Sequence, residues 1–179
     1  MTRKNKGYSP ARMIALVGIS AATLECAKLA LAALPNIEVV TLLTALFGYV
    51  FGFAGVMAAV VFVCIEPLIY GFNTWVVLYF IYWPTLAALF MLLGKRRIKN
   101  RVIITAVAVL MTVFFGILSA LIDVGLLSGA FDNFFYRFAV YYARGILFYA
   151  IQIACNAVLF PLLFDFLSEK LLLVKRKML

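Results

Sequence analysis

Five charged side chains interrupt the apolar stretches of this sequence, and they are the first candidates for chemistry. They are Glu25, Lys28, Glu66, Arg137 and Arg144. A charged group is costly in hydrocarbon, so it persists where it faces protein, water or a ligand. These residues therefore indicate either internal ion pairs or a site that binds a polar molecule.

The last two of these charges belong to a helical pattern with a phenol between them. Arg137, Tyr141 and Arg144 are spaced by four and then three residues, which places all three on one face of a helix. Two guanidinium groups and one phenol on one face could hold a polar ligand. The alternative is that the arginines reach the outer headgroups, or pair with Glu66 and Asp132.

Other chemistry is not indicated by the remaining polar residues. Glu25 and Lys28 are three residues apart, so an ion pair on one helix face explains both. The chain has no His, and Cys26, Cys64 and Cys155 stand alone in apolar runs, which predicts free thiols and no metal site. Neither a GxSxG motif nor a GxxxxGK phosphate loop is present, so we expect no enzymatic activity, no ATP hydrolysis and no cofactor.

The composition determines the class of protein that must position these residues. Apolar residues make up 67% of the chain and charged residues 13%, and the mean hydropathy is +1.12, which is typical of an integral membrane protein. The net charge of +9 is concentrated near Arg3 to Arg12, Lys95 to Arg101 and Lys170 to Lys177. These blocks lie at the edges of apolar runs, so they indicate membrane topology rather than nucleic-acid binding.

A single membrane domain, 1–179, with six transmembrane helices is therefore predicted. The predicted spans are about 10–32, 39–53, 54–70, 74–93, 102–122 and 134–167, and Pro161 is expected to kink the last one. The first apolar run is expected to be retained, because it lacks a convincing cleavage site. Lys95 to Arg101 forms a basic loop that should stay on the cytoplasmic side, which places both termini in the cytoplasm.

Small residues mark two places where helices should approach closely. Ala11, Ala15, Gly18 and Ala22 form a stripe along the first span, suited either to packing inside this chain or to docking a separate subunit. Gly48, Gly52 and Gly55 predict a tight turn between the second and third spans, with close packing around it.

The order of these features resembles a known family. The N-terminal small stripe, followed by LPNIEVVTLLTALFGYVFGFAGV across the first outer loop and second span, is similar to the substrate-binding S components of energy-coupling factor (ECF) transporters. The resemblance covers the whole chain. It implies a membrane-embedded vitamin-binding bundle that docks on a transmembrane T component coupled to two ATPase subunits, and that topples to carry its ligand inward.

The resemblance also implies where the functional residues lie. In that family the ligand sits near the outer surface, under the first and third outer loops, and an AxxxA stripe in the first span contacts the T component. The stripe maps onto Ala11 and Ala15, and continues to Gly18 and Ala22. The family location combined with local polarity gives these candidate ligand contacts: Asn36, Glu38, Glu66, Asn73, Trp75, Tyr79, Arg137, Tyr141 and Arg144.

The ligand and location follow from the same resemblance. The chain looks most like the cobalamin-transporting members, with a queuosine precursor or another vitamin as the alternative. We expect it in a bacterial cell membrane, with the bilayer, the T component and the ATPase subunits as partners. A different class of function, a structural or assembly membrane protein, would use the same aromatic and charged residues for helix packing alone.

Overall fold

The apolar runs fold into helices, separated where proline, glycine or asparagine interrupts them. The structure is a computed structural model that describes residues 8–34, 37–128 and 132–178. Within these ranges the chain is all-helical, with no strand. The helices are α1 (Pro10–Ala30), α2 (Val40–Phe51), α3 (Phe53–Tyr70), α4 (Thr74–Lys95), α5 (Arg101–Leu121), a π-helical segment (Ile122–Leu127), α6 (Phe134–Arg144) and α7 (Ile146–Met178).

Most of these helices have the dimensions of membrane spans, which indicates a membrane protein. Five stretches in the described part of the chain are long and apolar enough to cross a bilayer: Pro10–Ala30, Phe53–Tyr70, Thr74–Lys95, Arg101–Leu127 and Ile146–Met178. The predicted span 39–53 differs from these, because α2 has only 12 residues. At 1.5 Å per residue it is about 18 Å long, shorter than a hydrocarbon core of about 30 Å.

The short helix α2 lies at the centre of the molecule. Ten of its twelve residues are buried, so its surroundings are mainly protein. A Cβ atom on Gly48 would lie 2.2 Å from the carbonyl oxygen of Ala87 in α4, and one on Gly94 would lie equally close to that of Tyr49. These glycines let the backbones of α2 and α4 come into direct contact, as the sequence predicts for Gly48.

The other two predicted glycines join α2 to α3. Gly52 is the single residue between the two helices and has a φ of +67°, which a residue with a side chain rarely adopts. A Cβ on Gly55 would lie 2.1 Å from the carbonyl oxygen of Phe47. The chain therefore reverses within one residue, and the C-terminal part of α2 contacts the first turn of α3.

The small-residue stripe of α1 faces away from the bundle. Ala11, Ala15, Gly18 and Ala22 are all exposed, and a Cβ added to Gly18 would meet no atom within 4 Å. The buried face of α1 instead carries Leu16, Ala21 and Leu24. The stripe is thus not used for packing inside the described chain.

The last predicted span, 134–167, is two helices instead of one. It is interrupted at Gly145, where α6 ends and α7 begins. Helix α7 has 33 residues and continues through Pro161 to Met178, so it is about 50 Å long and exceeds the thickness of a hydrocarbon core. Its C-terminal end is fastened to α2, because Lys175 Nζ donates to the carbonyl oxygen of Val50 at 2.6 Å.

The fifth span also ends later than the sequence suggests. The predicted span ends at about residue 122, but the helix continues as the π-helical segment to Leu127. A π-helical stretch widens the turn and frequently occurs at functional sites. Here it brings Asp123 within hydrogen-bond distance of α6, where Tyr141 Oη donates to Asp123 Oδ2 at 2.6 Å.

Candidate ligand-binding site

The N-terminus of α2 is anchored by a carboxylate that precedes it. Glu38 Oε2 accepts from the backbone N–H of Thr41 at 2.8 Å, and Glu38 Oε1 accepts from the Thr41 hydroxyl at 2.5 Å. A carboxylate in this position satisfies N–H groups that the first helical turn leaves free, and it complements the positive end of the helix dipole. The same Oε1 atom accepts from Asn156 Nδ2 of α7 at 3.2 Å.

Asn156 extends this network to a third helix. Its amide nitrogen also donates to Thr112 Oγ1 of α5 at 3.1 Å, and the Thr112 hydroxyl donates to the carbonyl oxygen of Ala108 at 2.9 Å. Asn156 is fully buried, and its Oδ1 atom has no hydrogen-bond partner among the described residues. One polar network therefore fixes α2, α5 and α7 relative to one another.

A second polar cluster joins α1 to α3. Lys28 Nζ forms a hydrogen-bonded ion pair with Glu66 Oε2, and Glu66 is fully buried. The same ammonium group lies 4.3 Å from the ring centroid of Tyr70, 5.4 Å from that of Tyr79 and 5.8 Å from that of Trp75. These distances are within the range of cation–π attraction, so the ammonium is stabilised by a carboxylate and by aromatic rings.

The ion pair corrects the pairing expected from sequence spacing. Lys28 was expected to pair with Glu25 on its own helix, but it pairs with Glu66 across the helix interface. Glu25 is also buried, and neither of its carboxyl oxygens has a hydrogen-bond partner among the described residues. The expected alternative pairing of Glu66 with an arginine is likewise replaced by the Lys28 pair.

A cavity of about 90 Å³ lies between these two clusters. It is at the end of the bundle opposite the basic loop, since Lys28 is near the end of α1 and Glu38 precedes the start of α2. Polar groups and aromatic rings from several helices share its wall. The lining residues are Lys28, Glu38, Val40, Thr41, Phe62, Tyr79, Tyr82, Trp83, Thr112, Phe115, Phe148 and Gln152.

The composition of this wall is similar to that of known small-molecule sites. Small-molecule pockets are mostly apolar and aromatic, with a few convergent polar groups. The indole of Trp83 is nearly buried, and its Nε1 atom has no acceptor among the residues that the structure describes. A buried donor without a partner is costly, so an acceptor on a bound molecule would satisfy it.

A wider, more open cavity adjoins the first. Its volume is about 500 Å³, and it shares Tyr79, Phe115 and Phe148 with its neighbour. Tyr141 and Arg144 of α6 line its other side. Burial, together with the hydrogen bond to Asp123, raises the pKa of Tyr141 to about 12, so this phenol remains a hydrogen-bond donor at neutral pH.

Most of the predicted contact residues lie at one of these cavities. Glu38 and Tyr79 line the first cavity. The second cavity is lined by Trp75, Tyr79, Tyr141 and Arg144. Glu66 stands behind the first cavity as the partner of Lys28.

The other predicted contact residues are not placed in either wall. Asn73 is exposed and caps α4, because its side chain accepts from the N–H of Thr74. Arg137 is partly buried, and it belongs to neither lining. Asn36 lies outside the described residues. Of the three residues on the predicted helix face, Tyr141 and Arg144 therefore line the wider cavity, and Arg137 does not.

Several wall residues were missed because no single one is unusual in sequence. They are Thr41, Tyr82, Trp83, Thr112, Gln152 and, behind the wall, Asn156. One signal was available: Gln152 and Asn156 are four residues apart in an apolar helix, so both amides occupy one face. Among the described residues, no group of three or more His, Cys, Asp or Glu side chains is placed to hold a metal ion.

Comparison with protein-family models, with curated proteins and with solved structures finds no match to this chain. The functional interpretation therefore depends on the geometry of the two cavities and on the residues around them.

Proposed function

We propose that this chain is a membrane-embedded subunit that binds a small molecule in the first cavity, and that it is the substrate-binding S component of an ECF-type transporter. The observation that carries the proposal is the convergence of charged, hydroxyl and aromatic side chains on one cavity. In this role the chain captures a ligand from outside the cell, and partner ATPase subunits supply the energy for uptake.

The cavity favours ligand binding over a purely structural role. Protein interiors are packed at close to crystalline density, and a scaffold gains stability by filling its core with apolar side chains. Here the space is kept open, and Trp83 Nε1 and Asn156 Oδ1 are left buried beside or near it without partners in the described chain. Such groups cost stability unless another molecule satisfies them.

The outward-facing stripe of α1 supports the proposed partner. Ala11, Ala15, Gly18 and Ala22 are exposed along one helix face, where a neighbouring helix could approach the backbone closely. We assign this face to contact with a T component. The bacterial plasma membrane and the two ATPase subunits follow from the same proposal.

The proposed topology has six crossings and cytoplasmic termini. Five crossings use the long helices, and α2 provides the sixth despite its length. Because α2 is almost entirely surrounded by protein, its ends need not match the hydrocarbon thickness. The basic block Lys95 to Arg101 then lies in the cytoplasm, and the first cavity lies toward the outside.

The cavity volume bears on which ligand is bound. About 90 Å³ is below the range of about 300–1,000 Å³ for small-molecule pockets, so the first cavity has room for only a small molecule or for part of a larger one. A corrinoid is much larger than this cavity. Cobalamin stays a prediction from the resemblance, and the first cavity favours a smaller vitamin or vitamin-like molecule.

The test is to purify the chain in nanodiscs from its native membrane and identify what remains bound. Native mass spectrometry, followed by denaturation and small-molecule mass spectrometry, should reveal one stoichiometric ligand. Calorimetry with that ligand should show saturable binding. A protein that carries no ligand and binds none, alone or with its T and ATPase partners, would be a structural component instead.

A further inference from the structure

Glu38 is placed in the wall of the first cavity without a cationic partner. Among the described residues its carboxylate accepts three hydrogen bonds, from the Thr41 N–H, the Thr41 hydroxyl and the Asn156 amide, all of which are neutral donors. The two ion pairs found in the described chain are Lys28 with Glu66 and Arg101 with Asp165. The Glu38 charge is thus oriented by neighbours but is not neutralised by any described residue.

The cation in the same wall is already neutralised. Lys28 is hydrogen-bonded to the fully buried carboxylate of Glu66, so the pair contributes little net charge. With Lys28 and Glu66 cancelling, Glu38 makes the first cavity electronegative. A positive group entering the cavity would gain a charge-assisted hydrogen bond, whereas an anion would be repelled by the carboxylate.

The aromatic part of the wall suits the same charge. Tyr79, Tyr82, Trp83 and Phe115 line the cavity, and the faces of aromatic rings attract cations. The protein itself shows this at Tyr79, whose ring centroid lies 5.4 Å from the Lys28 ammonium.

The remaining feature is the unpartnered indole N–H of Trp83. The Trp83 side chain lines the same cavity, and its indole N–H can only donate a hydrogen bond. The molecule that fits the wall therefore has a positive nitrogen for Glu38, a flat apolar body for the rings and an acceptor for Trp83.

We propose that the first cavity selects a small organic cation, an amine or a positively charged nitrogen heterocycle with an aromatic body, and that Glu38 is the residue that reads its charge. This proposal rests on the proposed ligand-binding function and specifies its substrate class.

The test compares three probes of similar shape and different charge: 2-phenylethylamine, 2-phenylethanol and 3-phenylpropanoate. The chain has two tryptophans, Trp75 and Trp83, and each lines one of the two cavities, so their fluorescence reports binding at these sites. In nanodiscs at neutral pH, the amine should bind at least about tenfold more tightly than the alcohol, and the carboxylate should bind most weakly.

Glu38→Gln keeps the size and an acceptor oxygen of the side chain but removes the charge. The variant should lose the preference for the amine, so that amine and alcohol bind within about twofold of each other. Glu169→Gln is the matched control, because Glu169 is exposed near the far end of α7 and should leave the preference unchanged. The comparison on the unaltered protein needs no variant, so it stands even if Glu38→Gln unfolds.

Equal affinity for the three probes, or preference for the carboxylate, would overturn the cation proposal while leaving small-molecule binding in place. Retention of the preference in Glu38→Gln would also overturn it, because another group would then read the charge. Absence of saturable binding by all three probes overturns the cation proposal as well. The co-purification experiment then decides the proposed function separately.

Discussion

Asn156 Nδ2 of α7 lies 3.2 Å from Glu38 Oε1 at the start of α2, and this contact joins parts of the chain that are 118 residues apart. The same amide reaches Thr112 of α5. Because this fully buried side chain donates to Glu38 and to Thr112, it connects three helices around the wall of the first cavity.

Replacing Asn156 should therefore weaken both the fold and the site. In Asn156→Leu the Glu38 carboxylate and the Thr112 hydroxyl each lose a donor inside the protein. We expect a loss of about 1–3 kcal/mol in unfolding free energy, together with weaker ligand binding. Thermal unfolding in detergent and calorimetry measure the two effects. Val158→Ala, at an exposed position of the same helix, is the control, and wild-type behaviour of Asn156→Leu would refute the network.

Breaking the Lys28–Glu66 ion pair should strongly lower the stability of the fold, and a second substitution should restore much of the loss. Lys28→Met leaves the Glu66 carboxylate buried without its cation, which typically costs about 3–5 kcal/mol. The double variant Lys28→Met/Glu66→Gln removes the stranded charge and should recover much of that loss. Unfolding temperatures of the two single variants and the double variant form a thermodynamic cycle. Additive effects would mean that the two side chains do not interact.

The sequence predicts most helix boundaries well, but it does not predict how the helices contact one another. Helices α1, α3 and α4 start and end within about two residues of the predicted spans, because Pro, Gly and Asn residues punctuate their apolar runs. The break at Gly145 was missed. One glycine in a helical pattern is compatible with a continuous helix, whereas in the structure a Cβ at this position would lie 2.6 Å from the Tyr149 ring.

The site shows the same limit more clearly. Spacing rules identify only pairs of residues on the same helix, so Glu25 and Lys28 were the expected partners. The observed partner, Glu66, is 38 residues away from Lys28, and their approach depends on how α1 packs on α3. Polarity and the family location did place Glu38 and Tyr79 at the cavity, but the network through Thr112 and Asn156 exists only once three helices meet.

Two glycines on different helices make a matched test of packing. Gly48→Ala would place a Cβ 2.2 Å from the Ala87 carbonyl oxygen, so α2 and α4 must separate, at a cost of about 1–3 kcal/mol. Gly18→Ala meets no atom within 4 Å, and should be neutral or stabilising, since Ala favours helix over Gly by about 1 kcal/mol. The measurement is the unfolding temperature of each variant. A Gly48→Ala protein as stable as wild type would contradict direct backbone contact between the helices.

The proposed topology predicts which loops are accessible from outside. In a variant lacking the three native cysteines, a Cys introduced at Ser128 should react with a membrane-impermeant maleimide added to intact cells. A Cys introduced at Asn100, beside the basic block, should react only after the membrane is opened. Labelling of the Asn100 position in sealed cells would invert or change the proposed arrangement.

The exposed stripe of α1 predicts a variant that folds but does not assemble. Ala15 is exposed, so a large side chain there has room in the isolated subunit, yet it would hold a neighbouring helix away from the α1 backbone. We expect Ala15→Trp to insert, to unfold at the wild-type temperature and to bind ligand, but to lose co-purification with a tagged T component. Leu162→Trp, at an exposed position of α7, should assemble normally. If Ala15→Trp co-purifies as well as Leu162→Trp does, the stripe faces lipid and the docking surface lies on another helix.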